Sequence, residues 1–114
     1  MNEYHQLVDR NPWLQHISSN DTVYLSGPMT NLPDLNRPAF ARMEHALKVR
    51  GARVLSPAHA DQSKIYHVLL RDGLTMVLSA NVTVMLLGWE GSHGANVEWS
   101  MSMLVGNRLY YEQV

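Results

Sequence analysis

Val82-Thr83-Val84-Met85-Leu86-Leu87-Gly88-Trp89-Glu90-Gly91-Ser92-His93-Gly94 is the stretch whose reading decides the fold. Its first six residues are almost continuously apolar, the pattern of a strand covered on both faces, as in a parallel sheet. The next seven hold Gly88, Gly91 and Gly94 and open into a helix in which Val97, Met101, Leu104 and Val105 share a face. Gly106 ends that helix, and Arg108-Leu109-Tyr110-Tyr111 reads as a further strand.

The same alternation runs upstream. Thr22-Val23-Tyr24-Leu25-Ser26 is a β-type run closed by Gly27-Pro28, a strong turn signal. Asn36 can cap a helix that tolerates Pro38 in its first turn, with Phe40, Met43, Leu47 and Val49 near helical spacing and Gly51 as its stop. Arg53-Val54-Leu55-Ser56-Pro57 is a second strand, and Ile65 to Ala80 a long helix with Val68, Leu69, Met76 and Val77 as its apolar stripe. The order β-α-β-α-β-α-β predicts an α/β, three-layer Rossmann-like (flavodoxin-like) fold, a parallel four-stranded sheet flanked by helices on both faces. Residues 1–20 form an irregular or helical leader, broken near Asn11-Pro12, in which Leu7, Trp13, Leu14 and Ile17 could line one side. Residues 21–114 make the domain.

Composition narrows the function. The chain has 114 residues, one domain's worth, and is too short for a deep private pocket. Nine Lys+Arg against ten Asp+Glu leave a net charge of -1, without the basic footprint of a nucleic-acid binder. The lack of cysteine excludes disulfide scaffolds, thiol catalysis and Fe–S clusters. No apolar run approaches a membrane span and no signal peptide is visible, so a cytoplasmic protein is expected. The histidines at His5, His16, His45, His59, His67 and His93 make no ligand pair at metal-binding spacing, so no metal and no cofactor is expected.

In open α/β sheets ligands sit beyond the carboxyl ends of the strands. That rule selects the loops 26–36, 56–63 and 88–94. In the last, Gly91 and Gly94 let backbone N–H groups approach a ligand, the helix start favours an anion, and Ser92 adds a hydroxyl. Glu98 follows four residues after Gly94. The positive end of the helix dipole should lower its pKa, and an ionised carboxylate suits nucleophilic attack. Spacing alone also fits a glutamate that merely stabilises its helix. Tyr24, on a central strand, needs a partner for its hydroxyl, and Trp89 could either stack on a base or cap the core.

Taken together, Val23-Tyr24-Leu25-Ser26-Gly27-Pro28-Met29, Asn36-Arg37-Pro38-Ala39-Phe40 and Gly88-Trp89-Glu90-Gly91-Ser92-His93-Gly94-Ala95-Asn96-Val97-Glu98 resemble the nucleoside 2-deoxyribosyltransferase-like superfamily. The likeness is to a small phage and bacterial branch of unknown function, related to deoxynucleoside-monophosphate N-glycosidases, and covers about residues 22–111. The resemblance implies cleavage or transfer at the N-glycosidic bond of a (deoxy)nucleoside or its 5′-monophosphate. In it, Glu98 attacks C1′, Tyr24 orients Glu98, and Ser92 holds a 5′-phosphate. Ser26, Gly27, Pro28, Met29, Trp89, Gly94 and Ala95 complete the substrate-binding set. The family carries an Asp on the helix before the third strand. Counting back from Trp89 puts Gly73 there and Asp72 one residue earlier, about 100° round the helix. Asp72 serves as the catalytic acid if a one-residue bulge turns it inward; otherwise His93 or Glu90 is left for that role. The implied partners are a small nucleoside or nucleotide and further copies of the chain, as a homodimer or higher homo-oligomer, with the leader and the helices at 64–80 and 94–105 as interface. The alternative is a catalytically inactive nucleotide-binding or interaction protein on the same fold.

Overall fold

Strand residues alternate between faces, and in β1 (Thr22–Ser26) both faces are buried. Val23 and Leu25 point to one side, into an apolar cluster with Val82, Val84 and Leu86. Tyr24 and Ser26 point to the other, where they meet two helices. A strand enclosed this way must sit inside its sheet. In the computed structural model, which describes residues 3–114, the sheet order is β2-β1-β3-β4, with β2 spanning Arg53–Leu55, β3 Val82–Met85 and β4 Arg108–Tyr111. Each neighbouring pair is parallel.

Helices cover both faces. On the Val23 side lie α1 (Glu3–Arg10), a 3₁₀ turn at Pro12–His16 and α2 (Arg37–Val49), which buries Phe40, Met43, Ala46 and Leu47. Val49 is 53% exposed, so the expected stripe ends at Leu47. On the Tyr24 side lie α3 (Tyr66–Ser79) and α4 (His93–Val105), packed on each other and on β1. The three-layer architecture predicted from the order of elements is the one observed.

The leader is part of the same core: Leu7, Leu14 and Ile17 are buried in the cluster that holds Val23 and Leu25. The chain breaks where Asn11-Pro12 suggested. Asn11 is buried, donating to the Leu7 carbonyl at 3.0 Å and accepting the Gln113 N–H. At the amino ends of the strands, Asp21 bonds Asn81 (3.0 Å) and Arg108 (3.1 Å), joining the starts of β1, β3 and β4. Burial alone would raise the Asp21 pKa, but the Ser18 N–H, Asn81 and Arg108 outweigh it and hold the carboxyl below its ordinary value.

Two sequence expectations are corrected. The inward face of α4 is not Val97, Met101, Leu104 and Val105 but Ala95, Glu98 and Ser102; Leu104 is 81% exposed. The reason is the neighbouring sheet face, which is polar. Ser102 shares a 2.8 Å bond with Thr83, and Asn107 donates to Thr83 as well. Asn36 occupies the position before α2 but does not cap it. Its backbone is left-handed (φ 61°), and its amide donates instead to the Pro28 carbonyl at 2.9 Å.

Candidate active site

In the order 2-1-3-4 the chain crosses from β1 to one side and then returns to the other, and a crevice opens at such a switch point between β1 and β3. Here it is a cleft of about 480 Å³ at the carboxyl ends of β1 and β3. Gly27 to Asn31 form one wall and Pro57, Ala60 and Gln62 another; α3 and the start of α4 close the remainder. Two close approaches depend on missing side chains. A Cβ at Gly27 would come to 2.8 Å from that of Leu86, so this turn can follow β3 only as glycine. A Cβ at Gly73 would overlap Oε2 of Glu98 and stand 3.2 Å from the Tyr24 hydroxyl. Gly73 thus makes the space in which the Glu98 carboxylate lies.

Glu98 is at the floor of the cleft, 9% exposed. The Ser26 hydroxyl donates to its Oε1 at 2.7 Å. Tyr24 is fully buried beside it, close enough for its hydroxyl to favour the charged carboxylate, yet it completes no hydrogen bond of standard geometry. An enclosed hydroxyl without a partner is costly and rare. The pKa of Glu98 moves opposite to the dipole-based expectation. Burial raises it, and the Ser26 and Tyr24 hydroxyls draw it only part of the way back. Glu98 lies in the second turn of α4, beyond the first turn where the dipole acts most strongly. Burial, followed by the Glu98 charge, pushes the Tyr24 hydroxyl well above its usual range.

The other expected site residues divide clearly. Gly27, Pro28, Met29, Ser92, Gly94 and Ala95 line the cleft with Tyr24 and Glu98. Ser92 caps α4, its Oγ accepting the Ala95 N–H at 3.2 Å, which leaves its own proton free to donate. Ser26 lies beneath the carboxylate, its hydroxyl committed to Glu98. Asp72 is in the lining but 42% exposed at the mouth, 3.4 Å from Lys64. The inward position on α3 belongs to Gly73, as the ungapped count gave. Trp89 lies outside the lining, stacked on Trp99 (5.8 Å) and tilted against Tyr111. His93 lines the cleft at the start of α4 and Glu90 does not. Gln62, Tyr66, Leu69 and Met76 also line it. The strand-end rule selects the loop of Gln62, but nothing in the sequence distinguishes Tyr66.

A protein-family model described as a domain of unknown function, DUF4406, matches residues 21–111. The chain belongs to this family. The matched span contains every strand and every cleft-lining residue, and stops short of α1 and the Pro12–His16 turn. No curated protein matches the chain at a significant level. Among the described residues no helix is long and apolar enough to cross a membrane.

Proposed function

We propose that the cleft cleaves the N-glycosidic bond of a nucleoside, deoxynucleoside or nucleoside 5′-monophosphate, with Glu98 as nucleophile, as the resemblance to nucleoside 2-deoxyribosyltransferases implies. The observation that carries this reading is a single buried carboxylate, fixed by the Ser26 hydroxyl and flanked by the fully buried Tyr24, at the floor of the cleft. Glu98 in its carboxylate form attacks C1′ through an oxocarbenium-like transition state, and the base leaves from the opposite face. The Tyr24 hydroxyl turns toward the carboxylate or the ring oxygen as charge redistributes. Water at C1′ then releases the sugar and frees Glu98; a second base in its place gives transfer. The Ser92 hydroxyl and the first N–H groups of α4 receive the 5′ end of the sugar or its phosphate.

The test is incubation with the four deoxynucleoside monophosphates and their nucleosides, with Glu98→Gln as control, followed by chromatography for free base. Base release lost in Glu98→Gln supports the assignment. Release that survives the substitution removes Glu98 as nucleophile, and saturable binding without release favours a nucleotide-binding protein. That second reading draws on the cleft walls formed by Gly27 to Asn31 and by Pro57, Ala60 and Gln62, which carry no ionisable side chain to protonate a departing base.

A further inference from the structure

A base that leaves as an anion is a poor leaving group, so cleavage of an ordinary nucleoside calls for a proton donor on the side of C1′ away from the nucleophile. In retaining glycosidases that donor is a second carboxyl group about 5 Å from the first. Among the described residues the one other carboxyl in this lining is that of Asp72. The walls facing α3 and α4, from Gly27 to Asn31 and at Pro57, Ala60 and Gln62, contain no ionisable side chain. On α3 the position against Glu98 is Gly73, and a carboxylate there would need the volume Glu98 fills. Asp72 is turned to the mouth and paired with Lys64. His93 lines the cleft at the first position of α4, beside Ser92 and Gly94, the end assigned above to the 5′ end of the sugar. The lining contains two carboxylates, Glu98 and Asp72, and neither lysine nor arginine.

Resting on the glycosidase reading above, we infer that the substrate is an N-glycoside whose leaving group is a cationic heterocycle, an N-glycosyl pyridinium. Such a group needs no proton. Glu98 Oε forms the bond to C1′, the C1′–N bond breaks, and its electron pair neutralises the ring nitrogen, so the heterocycle departs as a neutral molecule. Water then adds at C1′, the C1′–Oε pair returns to Glu98, and the water proton leaves through the open mouth. The lining suits the charge: it holds the Glu98 carboxylate, Asp72 (shared with Lys64), Met29 and the Tyr66 ring.

The experiment compares nicotinamide mononucleotide with AMP, which share ribose 5′-phosphate and differ only in the leaving group. Nicotinamide riboside with adenosine, and dAMP, are further arms. Free base is quantified by chromatography for the native chain and for Glu98→Gln, whose folding is checked by thermal melting. The expected result is Glu98-dependent nicotinamide release faster than adenine release by about 100-fold, the lower end of what a general acid contributes. Adenine released at an equal or greater rate from AMP, adenosine or dAMP, and lost in Glu98→Gln, overturns the cationic leaving group while leaving the glycosidase reading intact. Release of no base from any substrate overturns both.

Discussion

Glu98 and Gly73 are two halves of one arrangement, and each supports a prediction. The carboxyl of Glu98 has its pKa raised by burial, so the folded chain binds its proton more tightly than the unfolded chain does. Stability from this group is therefore greatest below the unfolded glutamate value of about 4.3 and falls as pH rises through the interval up to the folded value. Glu98→Gln resembles the protonated side chain at every pH. Its melting temperature should exceed that of the native protein by a few degrees at neutral pH, and the difference should close in acid. A paired titration of both proteins by scanning calorimetry checks this; a difference that widens in acid would mean the carboxylate is favoured by its surroundings. Gly73→Ala places a methyl group where Oε2 lies. Alanine gains about 1 kcal/mol in helix propensity over glycine, while overpacking costs about 1–3 kcal/mol, so the net loss of stability is about 0–2 kcal/mol. The carboxylate must move, and a shift on the order of 1 Å lowers kcat by about 100-fold. Melting measured alongside base release separates the two effects.

At the scale of elements, what the sequence made legible followed what each pattern physically encodes. The run 82–87 reads as a doubly covered strand because every one of its positions from Val82 to Leu86 is in fact enclosed. The site loops were legible because strand-end loops converge in any sheet of this order, and Glu98 because its helix starts from one of them. The orientation of α4 was not legible. Val97, Met101 and Leu104 have the period of a buried stripe, but the period specifies that a face exists and not what covers it. Here the inward face is the small and polar set Ala95, Glu98 and Ser102, chosen to seat a carboxylate and to meet Thr83. Asn36 misled for a similar reason. Asparagine suits both an N-cap and a left-handed turn, and the tertiary bond to Pro28 decides between them. That bond ties the loop on the cleft wall to the entrance of α2. Asn36→Ala removes the donor and the non-glycine residue type that best tolerates φ 61°, and should cost about 1–2 kcal/mol. It should also weaken nucleotide binding, since Pro28 and Met29 line the cleft. Chemical denaturation with a parallel binding titration tests both; unchanged affinity would show that the loop holds its shape without this bond.

For the whole molecule, the outward face of α3 and α4 is the surface that most needs explaining. Leu78 is 60% exposed, Met103 57%, Leu104 81% and Val105 44%. Between His93 and Val105 the one Asp, Glu, Lys or Arg is Glu98, which points inward, so this helix presents no such charge to solvent. A surface helix ordinarily turns a charged face outward, and a contiguous apolar face has the composition of an interface. Proposed here as a contact between copies of the chain, it lies at the carboxyl ends of the two helices whose earlier turns line the cleft. A standard interface takes about 800 Å² from each partner, roughly an eighth of the 6401 Å² this chain exposes, and two helix faces can supply that. Leu104→Glu puts a charge at the centre of the patch without touching the core. The native chain should have twice its sequence mass by light scattering at micromolar concentration, and Leu104→Glu should dissociate it, raising the dimer Kd by at least about 30-fold, the weight of a hot-spot residue. Melting temperature at a dilution where both are monomers should be the same. A native chain of single mass at every concentration tried would overturn the contact between copies.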